Sequence, residues 1–130
     1  MTILKGESVA DLRHELTTPV NHVLGFSDLL IEEAEERNLK AFIPVFRQIR
    51  SGGRQLLESI QGNLAEETDS VQKLDLEVLR GSLHGTVAEL LKISTSLLES
   101  LKDGCPQTLA DLRAITEALS CLMAFSVAER

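Results

Sequence analysis

Apolar residues recur three and four positions apart along four stretches of this chain, with polar residues filling the positions between. The first stretch runs from about Ser8 to Glu36 and carries Val9, Leu12, Leu16, Val20, Val23, Leu24, Leu30, Ile31 and Ala34. The second, from about Ala41 to Gly62, carries Phe42, Val45, Phe46, Ile49, Leu56, Leu57 and Ile60. A third spans about Asp75 to Lys102, and a fourth about Pro106 to Ala128. This spacing is that of an amphipathic helix with one apolar stripe. No stretch alternates with period two, so no strand is predicted. Ser8 is a candidate cap, Arg37 to Lys40 a turn, and Asp103-Gly104 a stop signal. Pro44 and Pro106 suit helix starts, where a missing N–H does little harm. Gly52-Gly53 costs helix propensity, roughly 1 kcal/mol per glycine relative to alanine, yet the apolar pattern resumes in phase beyond it.

Four one-striped helices bury all their stripes together in an antiparallel bundle. The predicted fold is therefore all-α, a four-helix bundle made of two helical hairpins. The first hairpin is placed at residues 1–64, a polar linker at 65–74, and the second hairpin at 75–130.

The two hairpins match each other. Shifted by sixty-seven positions, Leu12, Arg13, Leu16, Val20, Leu24, Ser27, Leu30 and Glu32 fall on Leu79, Arg80, Leu83, Val87, Leu91, Ser94, Leu97 and Glu99. Shifted by sixty-six, Arg47, Ile49 and Leu56 fall on Arg113, Ile115 and Leu122. The polar matches favour a degenerate repeat over two unrelated hairpins.

Composition narrows the class. A chain of 130 residues, 43% of them hydrophobic, suits one domain with a real core. With no Trp, no Tyr and four Phe, that core is aliphatic. No run approaches the ~20 apolar residues needed to span a bilayer, and the first residues carry no secretory signal. The net charge of −7 disfavours nucleic acid and anionic membranes as partners. Cys105 and Cys121 have no metal-ligand pattern around them and read as reduced thiols of a cytoplasmic protein.

One face of the first helix departs from what stability would choose. His14, Thr18, Asn21 and Gly25 share a face roughly opposite Leu12 and Leu16. It should meet water, yet it carries an imidazole, a hydroxyl, an amide and a glycine instead of Glu, Lys or Ala. Pro19 sits inside the helix, at a cost of order 3 kcal/mol. Such offences against local stability mark functional sites. The bland alternative for a lone exposed histidine is an ordinary surface residue.

The run His14-Glu15-Leu16-Thr17-Thr18-Pro19-Val20-Asn21 resembles the H-box of the dimerisation and histidine-phosphotransfer domain of bacterial sensor histidine kinases, usually His-Glu-Leu-Arg-Thr-Pro-Leu-Asn. The continuation Val23-Leu24-Gly25-Phe26-Ser27-Asp28-Leu29-Leu30 is similar too, as are Ile49, Gly53 and Leu56-Leu57 of the second helix. The resemblance covers roughly the first half of the chain. It implies that His14 accepts a phosphoryl group, Glu15 handles or orients the imidazole proton, and Thr18 positions water when a receiver is dephosphorylated. It further implies that Pro19 permits helix bending, with Asn21 on the same face. Thr17 departs from the family's Arg or Lys, removing a cation near the incoming phosphate.

Under the repeat, Gly81 falls where His14 stands, His84 where Thr17 stands, and Gly85, Thr86 and Ala88 where Thr18, Pro19 and Asn21 stand. The second hairpin has no acceptor and reads as a copy kept for packing. His22 lies off the His14 stripe, a surface or packing residue. Gly52-Gly53 lacks the Lys-Ser/Thr and the preceding strand of a phosphate loop.

The resemblance implies two kinds of partner. One is a receiver domain. The other is a histidine-kinase catalytic domain, in cis or in trans, through which alone ATP and Mg2+ would enter. No Asn-rich nucleotide box or Gly-rich lid is present, so no cofactor and no ATP-dependent activity are expected of this chain alone. An intramolecular pseudo-dimer is favoured over its rival, a homodimer through the first hairpin. The alternative function is a non-catalytic interaction and signal-coupling module with a vestigial H-box.

Overall fold

The computed structural model describes residues 9–63 and 73–127, nearly all of them helical, with no strand among them. Four helices follow in order: α1 (Val9–Glu36), α2 (Ile43–Asn63), α3 (Lys73–Ser100) and α4 (Pro106–Ser126), with a short 3-10 helix (Lys40–Phe42) leading into α2. Ser8 lies outside the described residues, as does the predicted linker except for Lys73 and Leu74, which already belong to α3. The third helix therefore starts and ends about two residues earlier than its apolar pattern suggests.

Helix α1 packs on α2 and α4, and α3 packs on the same two, so α1 and α3 stand on one diagonal. Contacts fix the directions. Asp28 pairs with Arg50, and Leu24 lies against Gly53. Arg37 touches Cys105, and Arg80 binds Phe125. Between α1 and α2, between α3 and α4 (Arg80–Phe125, Ser94–Thr116) and between α1 and α4 (Glu33–Asp111, Arg37–Cys105), partner numbers fall on one element as they rise on the other, so all neighbours, α2 and α3 included, are antiparallel. The all-α four-helix bundle expected from the apolar spacing is the observed architecture.

The stripes are the core. Leu12, Leu16, Val20, Val23, Leu30 and Ala34 of α1 are buried, as are Phe46, Ile49, Leu56 and Ile60 of α2. Facing them are Leu79, Leu83, Val87, Leu90 and Leu97 of α3 and Leu112, Ile115, Leu119, Leu122 and Phe125 of α4. Two serines share this interior. Ser27 and Ser94 are both fully buried, and each returns its hydroxyl to a backbone carbonyl one turn back, Leu24 at 2.9 Å and Leu91 at 3.2 Å. A buried hydroxyl without such a bond would cost free energy. The Thr116 hydroxyl of α4 lies 3.0 Å from Ser94 Oγ, joining the two helices.

Helix ends follow local chemistry. Asn38 has φ 63°, the left-handed conformation that asparagine tolerates, and Leu39 N–H reaches back to Ala34 C=O at 2.9 Å. This is the closing pattern of a Schellman motif, with asparagine in the usual glycine position. Pro106 occupies the first turn of α4, after Cys105.

Gly52 and Gly53 stay helical and serve two different neighbours. A Cβ on Gly52 would stand 2.7 Å from both Leu90 methyl carbons on α3. One on Gly53 would stand 3.0 Å from Leu24 Cδ2 and 3.3 Å from Val23 Cγ1 on α1. The glycines thus trade helix propensity for close approach on both sides of α2. Gly52→Val should cost about 1–3 kcal/mol by overpacking the α2–α3 seam. Gly85→Ala, on an open face of α3, should gain up to about 1 kcal/mol. Urea titration followed by circular dichroism measures both; a neutral Gly52→Val would show that the seam is loose.

Candidate functional site

Helix α1 positions His14 by the phase of its stripe. Leu12 and Leu16 turn inward with 1% and 0% exposure, which leaves His14, Thr18, Asn21 and Gly25 exposed on the outer side. The side chain of His14 borders an open cleft of about 350 Å3 between α1 and α2, lined by Arg13, His14, Thr17, Asn21, Leu57 and Gln61.

Only part of the residue set singled out by sequence meets here. His14 and Asn21 line the cleft. Thr18 does not line it; its hydroxyl donates to His14 C=O at 2.9 Å, and Thr17 Oγ1 lies 3.2 Å from the same oxygen. Glu15 is half-buried and off the cleft, with Oε1 out of water and without a hydrogen-bond partner. Pro19 is buried inside a helix assigned continuously from Val9 to Glu36. Its missing N–H deprives the Glu15 carbonyl of the usual partner four residues on. Glu15 and Pro19, four residues apart, therefore share a side of α1 that differs from the cleft side.

Arg13, Leu57 and Gln61 line the cleft with no site role expected of them from sequence, and Thr17 was expected there only as the position that lacks the family's cation. Arg13, Thr17 and Asn21 form one i, i+4, i+8 row, and Leu57 and Gln61 form the facing pair on α2. The row was readable as a helix ridge, but its partner on α2 depends on how the two helices are registered.

The corresponding region of α3 and α4 is arranged differently. Arg80, sixty-seven positions after Arg13, is buried; its Nε donates to Phe125 C=O at 3.1 Å, and its guanidinium lies 5.1 Å from the Phe125 ring centroid. His84 Nδ1 is 3.2 Å from Ser126 Oγ. Gly81 stands at the place of His14. These contacts tie α3 to α4.

A second titratable group lies at the opposite end of the bundle. Glu33 of α1 and the buried Asp111 of α4 face each other. Burial and the Asp111 carboxylate push the Glu33 carboxyl above its usual range. Gln107 Nε2 donates to Asp111 Oδ1 at 3.0 Å. Nearby, the N–H groups of Thr108 and Gln107 at the start of α4 hold the Cys105 thiol below its ordinary range, with Arg37 adding to the effect. Arg37 Nη1 contacts Cys105 Sγ. Cys105 should therefore react with an aromatic disulfide reagent several-fold faster than the exposed Cys121 near pH 7. A depressed pKa keeps thiolate populated as pH falls, so the Cys105 rate should persist to lower pH than that of an unperturbed thiol. Site-resolved mass spectrometry checks this; equal rates at the two cysteines would refute it.

Among the described residues, no group of three or more His, Cys, Asp or Glu side chains could hold a metal ion. No helix there is long and apolar enough to cross a membrane.

No family model matches the chain, and no solved structure matches it. One curated protein does. The chain is 24% identical over 132 residues, 95% of its own length, to the cell-division control histidine kinase PdhS of Brucella anthropi. The match spans 12% of that protein. The chain is thus similar to one region of a histidine kinase.

Proposed function

We propose that this chain is a phospho-acceptor module of two-component signalling, with His14 exchanging a phosphoryl group with a kinase catalytic domain or a receiver aspartate. One observation carries the reading. His14 is exposed on an open cleft with a cation and two amide side chains around it, while glycine, Gly81, stands at the matching position of the second hairpin. The similarity to a histidine kinase points the same way.

The chemistry asks little of the protein. An imidazole is largely neutral near pH 7 and presents a lone pair. Its nitrogen attacks phosphorus, the bond to ADP or to the receiver's carboxylate breaks, and the imidazole proton leaves. Positioning and charge neutralisation supply the rest. Asn21 and Gln61 offer amide donors at the cleft. Thr18, beside it, keeps the role of placing water for receiver dephosphorylation. Glu15 acts on the imidazole proton only if its side chain swings out of the interface. Pro19, by leaving the Glu15 carbonyl without its helical partner, gives α1 a point at which to bend. ATP and Mg2+ enter only with a separate catalytic domain.

The second hairpin fits the part that a partner subunit's hairpin would play. Helices α1 and α3 are both 28 residues long, and α2 and α4 both 21. The buried Ser27 and Ser94 repeat the same bond. The second reading, a signal-coupling module without chemistry, is favoured by Thr17, where the resemblance calls for a cation. The deciding experiment supplies ATP with a separate kinase catalytic domain, or a phosphorylated receiver. Acid-labile, base-stable phosphate should appear on the chain. A folded chain that no donor labels gives the function to the coupling module.

A further inference from the structure

We propose that Glu33 and Asp111 bind one proton between them, a pH-operated clasp that joins α1 to α4 at the end of the bundle away from His14. The two carboxyls lie within hydrogen-bond reach of each other. Asp111 is 1% exposed, and its Oδ2 has no hydrogen-bond partner among the described residues. Glu33 Oε1 is likewise out of water and without a partner. Two ionised carboxyls cannot bond each other, because each only accepts. Neither forms an ion pair among the described residues, so no cation bridges them. One proton supplies the missing donor and makes a charge-assisted bond across the seam. Gln107 Nε2 already donates to Asp111 Oδ1 at 3.0 Å, which suits the charged form there. The proton therefore resides on Glu33, whose O–H donates to Asp111.

The charged neighbours act in both directions. On α1, Glu36 adds repulsion and Arg37 attraction; on α4, Asp111 adds repulsion. Cys105, which Arg37 touches, stands at the turn into α4. The charged groups that α2, α3 and the turns hold at this end, Lys40, Arg47, Glu99, Lys102 and Asp103, are exposed. Burial and the carboxyl opposite outweigh Arg37, so folded Glu33 keeps its proton to higher pH than an unfolded glutamate does. Its contribution to stability is fully present below the ordinary value of 4.5 and is lost as pH rises through the folded value. Above that, two facing carboxylates press α1 and α4 apart.

Carbon-detected NMR of the side-chain carboxyls titrates the clasp directly in the intact chain, and urea titration at each pH reads its effect on the fold. Glu33 should titrate above 4.5 in the wild type and return to that value or below it in Asp111→Asn. The asparagine keeps an acceptor for Gln107 and offers Glu33 a permanent donor. Glu33→Gln stands in for the protonated form. Its urea midpoint should exceed that of the wild type by a few tenths molar near neutral pH, and the gap should close as pH falls toward 4.5. Glu36→Gln removes an equal charge from the same helix, but Glu36 acts on Glu33 less than Asp111 does, so most of the wild-type dependence should remain. A wild-type Glu33 that titrates at its ordinary value overturns the proposal, as does a raised value that Asp111→Asn fails to lower. If Asp111→Asn does not fold, Glu33→Gln decides, and a midpoint that follows the wild type at every pH overturns the clasp. None of these readings involves His14, so the clasp and the acceptor reading stand or fall separately.

Discussion

A His14→Gln chain should take no phosphoryl label from any donor, while His22→Gln and His84→Gln label as the wild type does. Glutamine keeps the polar, exposed character of the position but has no nucleophilic lone pair on nitrogen, so the bond to phosphorus cannot form. His14 sits on the outer side of α1, so the substitution leaves the core stripe of Leu12 and Leu16 intact. The two other histidines stand in different surroundings. His22 is exposed outside the cleft, edge-on to Phe26 with ring centroids 6.4 Å apart. His84 has Nδ1 engaged with Ser126 and follows Gly81, where no acceptor exists. Electrophoretic detection of acid-labile phosphate on the three variants separates them. Loss of label in His84→Gln alone would place the active face on the second hairpin.

The largest stability loss should come from Phe46→Ala, at about 3–5 kcal/mol. Phe46 is fully buried and among the largest side chains enclosed by the four helices, with Phe42 stacked beside it at 6.3 Å between ring centroids. The aliphatic neighbours cannot close around the missing ring, so a cavity adds to the lost transfer energy. Against a total of roughly 5–15 kcal/mol for an ordinary domain, this is a fifth of the stability at the least and the whole of it at the most. Denaturant titration followed in the far ultraviolet measures it. Phe46 lies on the opposite half of the bundle from the cleft, so the folded fraction should still be labelled at His14. A loss below 1 kcal/mol would mean that the packing around Phe46 is far looser than its burial indicates.

The helices were legible because each buries one stripe, and a stripe leaves its period in the sequence. Leu12, Leu16, Val20, Val23 and Leu30 could be placed in the core without any knowledge of what they face. Helix ends at Pro106 and near Asn38 were legible for a similar reason, since backbone geometry there depends on local residues. Contacts between helices were not. Gly52-Gly53 read as a cost to α2, and only the arrangement of α1 and α3 on its two sides shows why each Cβ is missing. Arg80 read as a match to Arg13, and nothing local tells that one lines a cleft while the other is buried over Phe125. The Glu33–Asp111 approach joins residues far apart in the chain, and neither carboxyl carries a periodic signal. At the site, the histidine and its face were visible, but the cleft belongs to the register of α1 against α2. That register brings Leu57 and Gln61 to the side of α1 that carries Arg13, His14 and Thr17, while the phase of the helix itself leaves Glu15 on another side.

The α4–α1 seam closes the ring of helices. Helix α1 lies antiparallel against α4, as α2 lies against α3, so the start of α1 and the end of α4 share one end of the bundle with the end of α2 and the start of α3. The body is therefore indifferent to where its chain is cut at that end. A circular permutant running α3–α4–α1–α2 would enclose the same core, with the two hairpins exchanged in order. So would two hairpins on separate chains. Connectivity here decides only that the two halves are made together and in equal number, one with the histidine and one without it.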